Sequence, residues 1–252
     1  MTTLPSYDAD QLADLLRILP DVDAVELKLT VPDTDQRPLM GVLGIDPLTA
    51  EIRQVAFLDT PDLRLSAAGL VVRARRTQRK PGDVTVKLRP MLPADVPAGL
   101  RKLSGFKVEV DASPTGFTCS CSLTTEVSDR KAKHLMAGDR ELTAVLSHEQ
   151  RTMLTERLPA GVGPGDLRVL GPVQLLKCKF TPEGYSRKLV AEMWLLPGGR
   201  RIIELSTKCN QDEAFRVAAE TKVFLSTRGV DLAAPQETKT KSVLAALAEE
   251  MI

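Results

Sequence analysis

Several short stretches of this chain alternate charged and apolar residues one by one, and that period fixes more about the fold than any other feature. Successive side chains of a β-strand point to opposite faces, so such a stretch has one charged face and one apolar face. Glu26 and Lys28 oppose Val25, Leu27 and Leu29. Arg73 and Arg75 oppose Val72 and Ala74, and Thr85, Lys87 and Arg89 oppose Val84, Val86 and Leu88. Lys107, Glu109 and Asp111 alternate with Val108 and Val110. Lys177 and Lys179 stand against Leu176, Cys178 and Phe180, and Glu204 stands between Ile203 and Leu205.

A sheet with one wet face gives the same alternation. Two features favour a closed barrel with the charge inside. Basic residues sit side by side on one face, at Arg73/Arg75 and Lys177/Lys179, and like charges so placed repel unless an anion neutralises them. The chain also holds several amphipathic helices, whose apolar stripes need an apolar sheet surface to cover. Helices packed outside a barrel satisfy both demands, and the charged lumen then focuses its field on a highly charged ligand. Polyphosphate matches that field, with Arg and Lys on its oxygens and carboxylates holding a bridging metal.

The remaining elements follow from local signals. Leu12, Leu15, Leu16 and Leu19 recur at helical spacing and Pro20 ends that helix. A turn is expected around residues 32–38, then a strand pair over 38–45 and 52–58. Asp59-Thr60-Pro61-Asp62 opens a short helical turn that Gly69 closes. Residues 123–160 read as helical, with Ser147 and Gln150 as a capping box. Pro197-Gly198-Gly199 makes the last hairpin, and a helical region over 210–250 closes the chain, with Gly229 past a helix end. One domain over 1–252 is expected, an α+β fold built on a closed antiparallel β-barrel of about eight strands.

Composition excludes several classes. Thirty-four basic residues against 33 acidic ones leave no excess for a general nucleic-acid binder. No apolar run reaches the roughly 18 residues of a membrane helix, and the first residues lack a secretory pattern, so the cytoplasm is the expected location. Cys119, Cys121, Cys178 and Cys209 have neither zinc nor redox spacing and read as free thiols. His134 and His148 read as surface or packing residues, and Trp194 as packing at the lumen wall.

The run from Phe57 through Asp59, Thr60, Pro61 and Asp62 to Arg73 and Arg75, followed by Thr85-Val86-Lys87, resembles the signature of CYTH domains, the triphosphate tunnel metalloenzymes. The resemblance covers about residues 22–245. It implies metal-dependent hydrolysis of a small triphosphate (inorganic, thiamine or nucleoside) inside a basic tunnel, with Mg²⁺ or Mn²⁺ as the divalent cofactor. Carried over position by position, it makes Glu26, Lys28, Glu192 and Glu204 the catalytic set. Substrate would be held by Lys28, Arg73, Arg75, Lys87, Lys107, Lys177, Lys179, Lys208, Lys239 and Lys241. Metal would be held by Glu26, Glu192, Glu204 and Glu109. Two motif carboxylates are replaced, by Ala24 and by Ser206. That departure keeps a second reading open, a polyphosphate- or nucleotide-binding module without chemistry. A third, class IV adenylate cyclase, ranks below both, because the His-Phe pair of those enzymes is missing before Glu26. Neither a nucleic-acid nor a membrane partner is implied.

Overall fold

The computed structural model describes residues 7–32, 35–234, 236 and 238–250. Nine strands close on themselves: β1 (Ala24–Val31), β2 (Glu51–Asp59), β3 (Leu70–Thr77), β4 (Gly82–Leu88), β5 (Phe106–Ser113), β6 (Gly116–Val127), β7 (Arg168–Phe180), β8 (Leu189–Leu195) and β9 (Arg201–Cys209). Around the barrel they run β1-β5-β6-β4-β3-β2-β7-β8-β9. The expected closed barrel is present, with nine strands rather than about eight. It is mixed rather than wholly antiparallel, because β1 pairs with β5 in parallel. Every other pairing is antiparallel.

Seven helices complete the described chain: α1 (Ala9–Ile18), α2 (Gln36–Val42), α3 (Arg64–Ala67), α4 (Asp129–Met136), α5 (His148–Thr155), α6 (Ala214–Thr227) and α7 (Lys239–Glu249). The expected strand over 38–45 is overturned, since those residues carry α2. Leu39 and Leu43, four apart, are both buried against the outer wall beside Leu29 and Leu205, and Pro38 sits in the first turn, where its missing N–H costs nothing. The turn expected at 32–38 is described only in part, because residues 33 and 34 lie outside the described residues. The helical segment also starts later than 123: β6 runs to Val127, and Ser128 then caps α4.

The apolar strand faces point outward and are covered. Val25, Val72, Ala74, Val84, Val86, Val108 and Val110 share one cluster with residues of α1, α4 and α5. Gln150, the second half of the Ser147 capping box, is buried there and donates its amide to the carbonyls of Val84 and Leu123. The shared motif region has its own local logic. Asp59 accepts hydrogen bonds from the backbone N–H groups of Leu65 and Ser66 at 2.8 and 2.9 Å, which fixes α3 against the start of β3. Gly69, at φ +75°, then passes so close to the Arg89 carbonyl that a Cβ would collide with it. Among the described residues no helix is long and apolar enough to cross a membrane.

α7 differs from the other helices, because it packs on the inner face. Val55, Phe57, Leu175 and Trp194 are in register with the charged positions, and they cluster with Val243, Leu244, Ala246 and Leu247. Arg200, beside the β8–β9 hairpin, pairs with Glu249 at 3.0 Å. One end of the lumen is therefore filled by an apolar helix, and the rest is charged.

Candidate functional site

Strand register brings the charged positions together. Pairing partners share a face, so Glu26 and Asp111, Lys28 and Ser206, Lys177 and Glu192, and Glu192 and Glu204 stand side by side on the lumen wall. The expectation that these alternating charges face one interior space is met.

Asp111 is the hub of one wall. Lys28 Nζ lies 2.8 Å from its Oδ1, while Lys87 Nζ and Arg89 Nη1 lie 3.2 and 3.4 Å from its Oδ2. Burial alone would raise its pKa, but these cations outweigh burial and hold it well below the usual carboxylate range. Burial likewise works against the charge on Lys28, and Asp111 and Glu26 reverse the effect and raise its pKa. Glu26 follows the same pattern: burial opposes its ionisation, Lys28 and Lys208 more than compensate, and its pKa falls. Lys208 also binds Glu109 at 2.8 Å.

A second cluster centres on two facing glutamates. Lys239 Nζ, from the first residue of α7, lies 2.6 Å from both Glu192 Oε2 and Glu204 Oε1. Lys177 Nζ holds the other oxygen of Glu192 at 2.8 Å. Trp194 donates its indole N–H to Glu192 at 3.3 Å and lies beneath the Lys239 ammonium, 5.0 Å from ring centroid to Nζ. Burial pushes against the Glu192 charge, yet Lys239 and Lys177 hold its pKa well below normal.

The β2–β3–β4 wall is different. Arg75 is paired with Asp83 at 2.7 Å, and Arg53 with Glu51 at 2.6 Å. Arg73 makes no ion pair among the described residues, although the Asp83 and Glu192 charges act on it from further off. Its one hydrogen bond is a long 3.4 Å contact to the Thr85 hydroxyl, and its buried Nε has no partner. Burial, and then the neighbouring Arg75 charge, lower its pKa. Lys87 and Lys177 are also lowered, burial being the main cause for each.

Of the residues expected in the site, Glu26, Lys28, Arg73, Arg75, Lys87, Glu109, Lys177, Glu192, Glu204, Lys208 and Lys239 line the lumen. Lys107 and Lys179 share the lumen face by register but are exposed, as is Lys241, and among the described residues none of the three makes an ion pair. Asp111, Arg53, Arg89 and Trp194 were not singled out for the site. The signal for Arg89 and Asp111 was present, since they alternate in phase with Lys87 and Glu109. A cavity of about 240 Å³ beside the start of α7 is lined by Lys28, Arg89, Asp111, Glu204 and Lys239 and reaches into this network.

The carboxylates do not fit a divalent ion as they stand. Lys239 occupies the point shared by Glu192 and Glu204, and Glu26, Glu109 and Asp111 are engaged by Lys or Arg. Among the described residues no three His, Cys, Asp or Glu side chains are grouped to hold a metal.

No family model and no curated protein matches the chain. Solved structures do. A candidate adenylyl cyclase of Hippeastrum, reported to have a dominant triphosphatase activity, superimposes with a TM-score of 0.62 at 18% identity, over 87% of this chain and 94% of that one. A candidate adenylate cyclase of Bacillus halodurans gives 0.61 at 16% identity, over 88% and 97%. The chain thus has the closed-barrel fold of these two proteins, the fold that its resemblance to the triphosphate tunnel metalloenzymes implies.

Proposed function

We propose that the lumen binds the triphosphate group of a small molecule and hydrolyses its terminal phosphoanhydride. The observation that carries this reading is Arg73, a guanidinium whose buried Nε has no partner and which, among the described residues, makes no ion pair. A buried cation without a counter-ion is costly unless an anion completes it. Arg75, Lys87 and Lys177 converge on the same lumen, and Arg and Lys together match the several oxygens of a polyphosphate chain. The triphosphatase activity reported for the Hippeastrum protein supports the choice of reaction.

In the step itself, water forms a new bond to the terminal phosphorus as the bond to the bridging oxygen breaks, releasing phosphate and the shortened polyphosphate. The transition state is loose, so positioning and charge stabilisation do most of the work. Arg73 and its neighbours would hold the equatorial oxygens, and Lys177 would meet charge developing on the leaving group. Phosphate release from tripolyphosphate and from nucleoside triphosphates, followed with Arg73→Met alongside, tests the reading. Release by the variant at the native rate rejects it.

A binding module without turnover is the second reading, and one feature favours it. Every lumen carboxylate named above is held by a cation, and Glu192 and Glu26 have lowered pKa values, so each is a weak base for activating water. Calorimetric binding of tripolyphosphate with no phosphate release selects it. Cyclic nucleotide formation from a nucleoside triphosphate would select the cyclase reading instead.

A further inference from the structure

The resemblance places a divalent cation among Glu26, Glu192, Glu204 and Glu109, and the geometry puts a side chain between two of them. Lys239 Nζ is equidistant, at 2.6 Å, from one oxygen of Glu192 and one of Glu204. The Trp194 ring faces the same ammonium, so it is surrounded by two carboxylates and a π face, as a bound cation would be. Glu192 has no oxygen to spare, since Lys177 takes Oε1 while Lys239 and Trp194 share Oε2.

The ammonium is also anchored. Lys239 begins α7, and four to eight residues further on Val243, Leu244 and Leu247 are buried to 3% exposure or less against the inner wall. An ion entering between Glu192 and Glu204 has to displace the Lys239 side chain from both carboxylates. If the helix moves with it, those apolar residues lose their cover. A hydrated Mg²⁺ or Mn²⁺ must moreover shed water to compete with a cation already in place.

We propose that Lys239 is the fixed cation of the tunnel, standing between Glu192 and Glu204 where the family resemblance puts a metal, so that triphosphate binding needs no divalent ion. The inference rests on the lumen being the triphosphate site, but its central measurement does not. In ligand-free protein, Mn²⁺ added to the native chain should keep its full free-ion paramagnetic resonance signal. Lys239→Met frees both glutamates and should reduce that signal, while Lys239→Arg, which restores a cation, should not. Near-ultraviolet circular dichroism of each variant reports whether the barrel and Trp194 remain packed. If Lys239→Met does not fold, the native protein with Glu192→Gln as its control decides alone. Mn²⁺ uptake by the native chain that Glu192→Gln abolishes overturns the proposal, and the full free-ion signal upholds it.

The second measurement is tripolyphosphate affinity in EDTA, expected within about twofold of that with Mn²⁺ present, a difference of under 0.5 kcal/mol. Binding that appears only with Mn²⁺ overturns the proposal. Failure to bind under either condition rejects the triphosphate reading instead, and leaves the ligand-free Mn²⁺ result to decide the role of Lys239.

Discussion

The two sides of the lumen carry similar residues and use them differently. On the β1–β5 side, Asp111 gathers Lys28, Lys87 and Arg89, so the charges answer one another within the protein. On the β3 side, Arg73 makes no ion pair among the described residues, and its buried Nε has no partner. The first arrangement is satisfied within the protein, and the second is the one that the proposed triphosphate would complete. Under the proposed function, burial and residue type do not separate structural from binding cations, and the presence of a counter-ion does.

The most severe way to break this contrast is Asp111→Asn. Removing the acid leaves Lys87 and Arg89 without a carboxylate and Lys28 with Glu26 alone among the described residues, and breaking a largely buried charge cluster costs up to about 3–5 kcal/mol. Urea unfolding with an unchanged slope should report a loss of that size. A loss below about 1 kcal/mol would mean that Lys28, Lys87 and Arg89 are solvated rather than held, because surface pairs contribute no more than that.

Arg73→Met should do the reverse. Tripolyphosphate affinity should fall by about 2–3 kcal/mol, near a hundredfold, as expected when one partner of a desolvated charge contact is lost. Stability should stay level or rise, because no ion pair is lost and the repulsion from Arg75 is relieved. Calorimetric titration and thermal unfolding on the same sample separate the two effects, and a destabilised variant with native affinity would exchange the roles of the two walls.

A pH series sharpens the comparison further. Lys87 and Lys177 are lowered, chiefly by burial, so they shed protons below the usual lysine value of about 10.4. A bound anion holds those protons on, so affinity should decline as pH rises through the lowered values, by up to about tenfold per pH unit for each lysine. Titration in two buffers of different ionisation enthalpy should show proton uptake on binding. Asp111 has the opposite sign. Its depressed pKa gives stability that is complete above the unfolded carboxylate range, near 4, and is lost as pH falls through the lower folded value.

The smallest effect is expected at Lys107, Lys179 and Lys241. Their substitution by Ala should leave tripolyphosphate affinity within about threefold, since exposed charges are screened by salt. A larger loss would extend the binding wall out to the surface.

Much of this was legible in the chain because a strand writes its two faces in alternate letters. Val72 and Ala74 outside, Arg73 and Arg75 inside, need no more than the period of two. The segment over 38–45 misled because Leu39 and Leu43 satisfy a short strand as easily as one turn of helix. β6 was missed because its inner face carries Ser120, Ser122 and Thr124 rather than charge, so its alternation is faint. The hub at Asp111 could not be read from its neighbours in sequence. It depends on β1, β4 and β5 lying close together, which is settled by packing at long range. Lys239 was assigned to substrate, and its position between two glutamates depends on α7 entering the lumen, which no local pattern records.

Closing the ring from β1 to β9 has a consequence for how the protein is made. Val25 and Cys209 are register partners separated by 184 positions. At ordinary translation rates of about 5–20 residues per second, β1 leaves the ribosome roughly 10–40 s before the strand that will seal it. For that interval β1 is an open edge, the part of a growing sheet that most readily captures a neighbouring chain. Glu26 and Lys28 lie along this strand and oppose such capture, because a second chain pairing there would have to desolvate both charges. The charges that face the finished lumen would thus also discourage capture of the nascent chain.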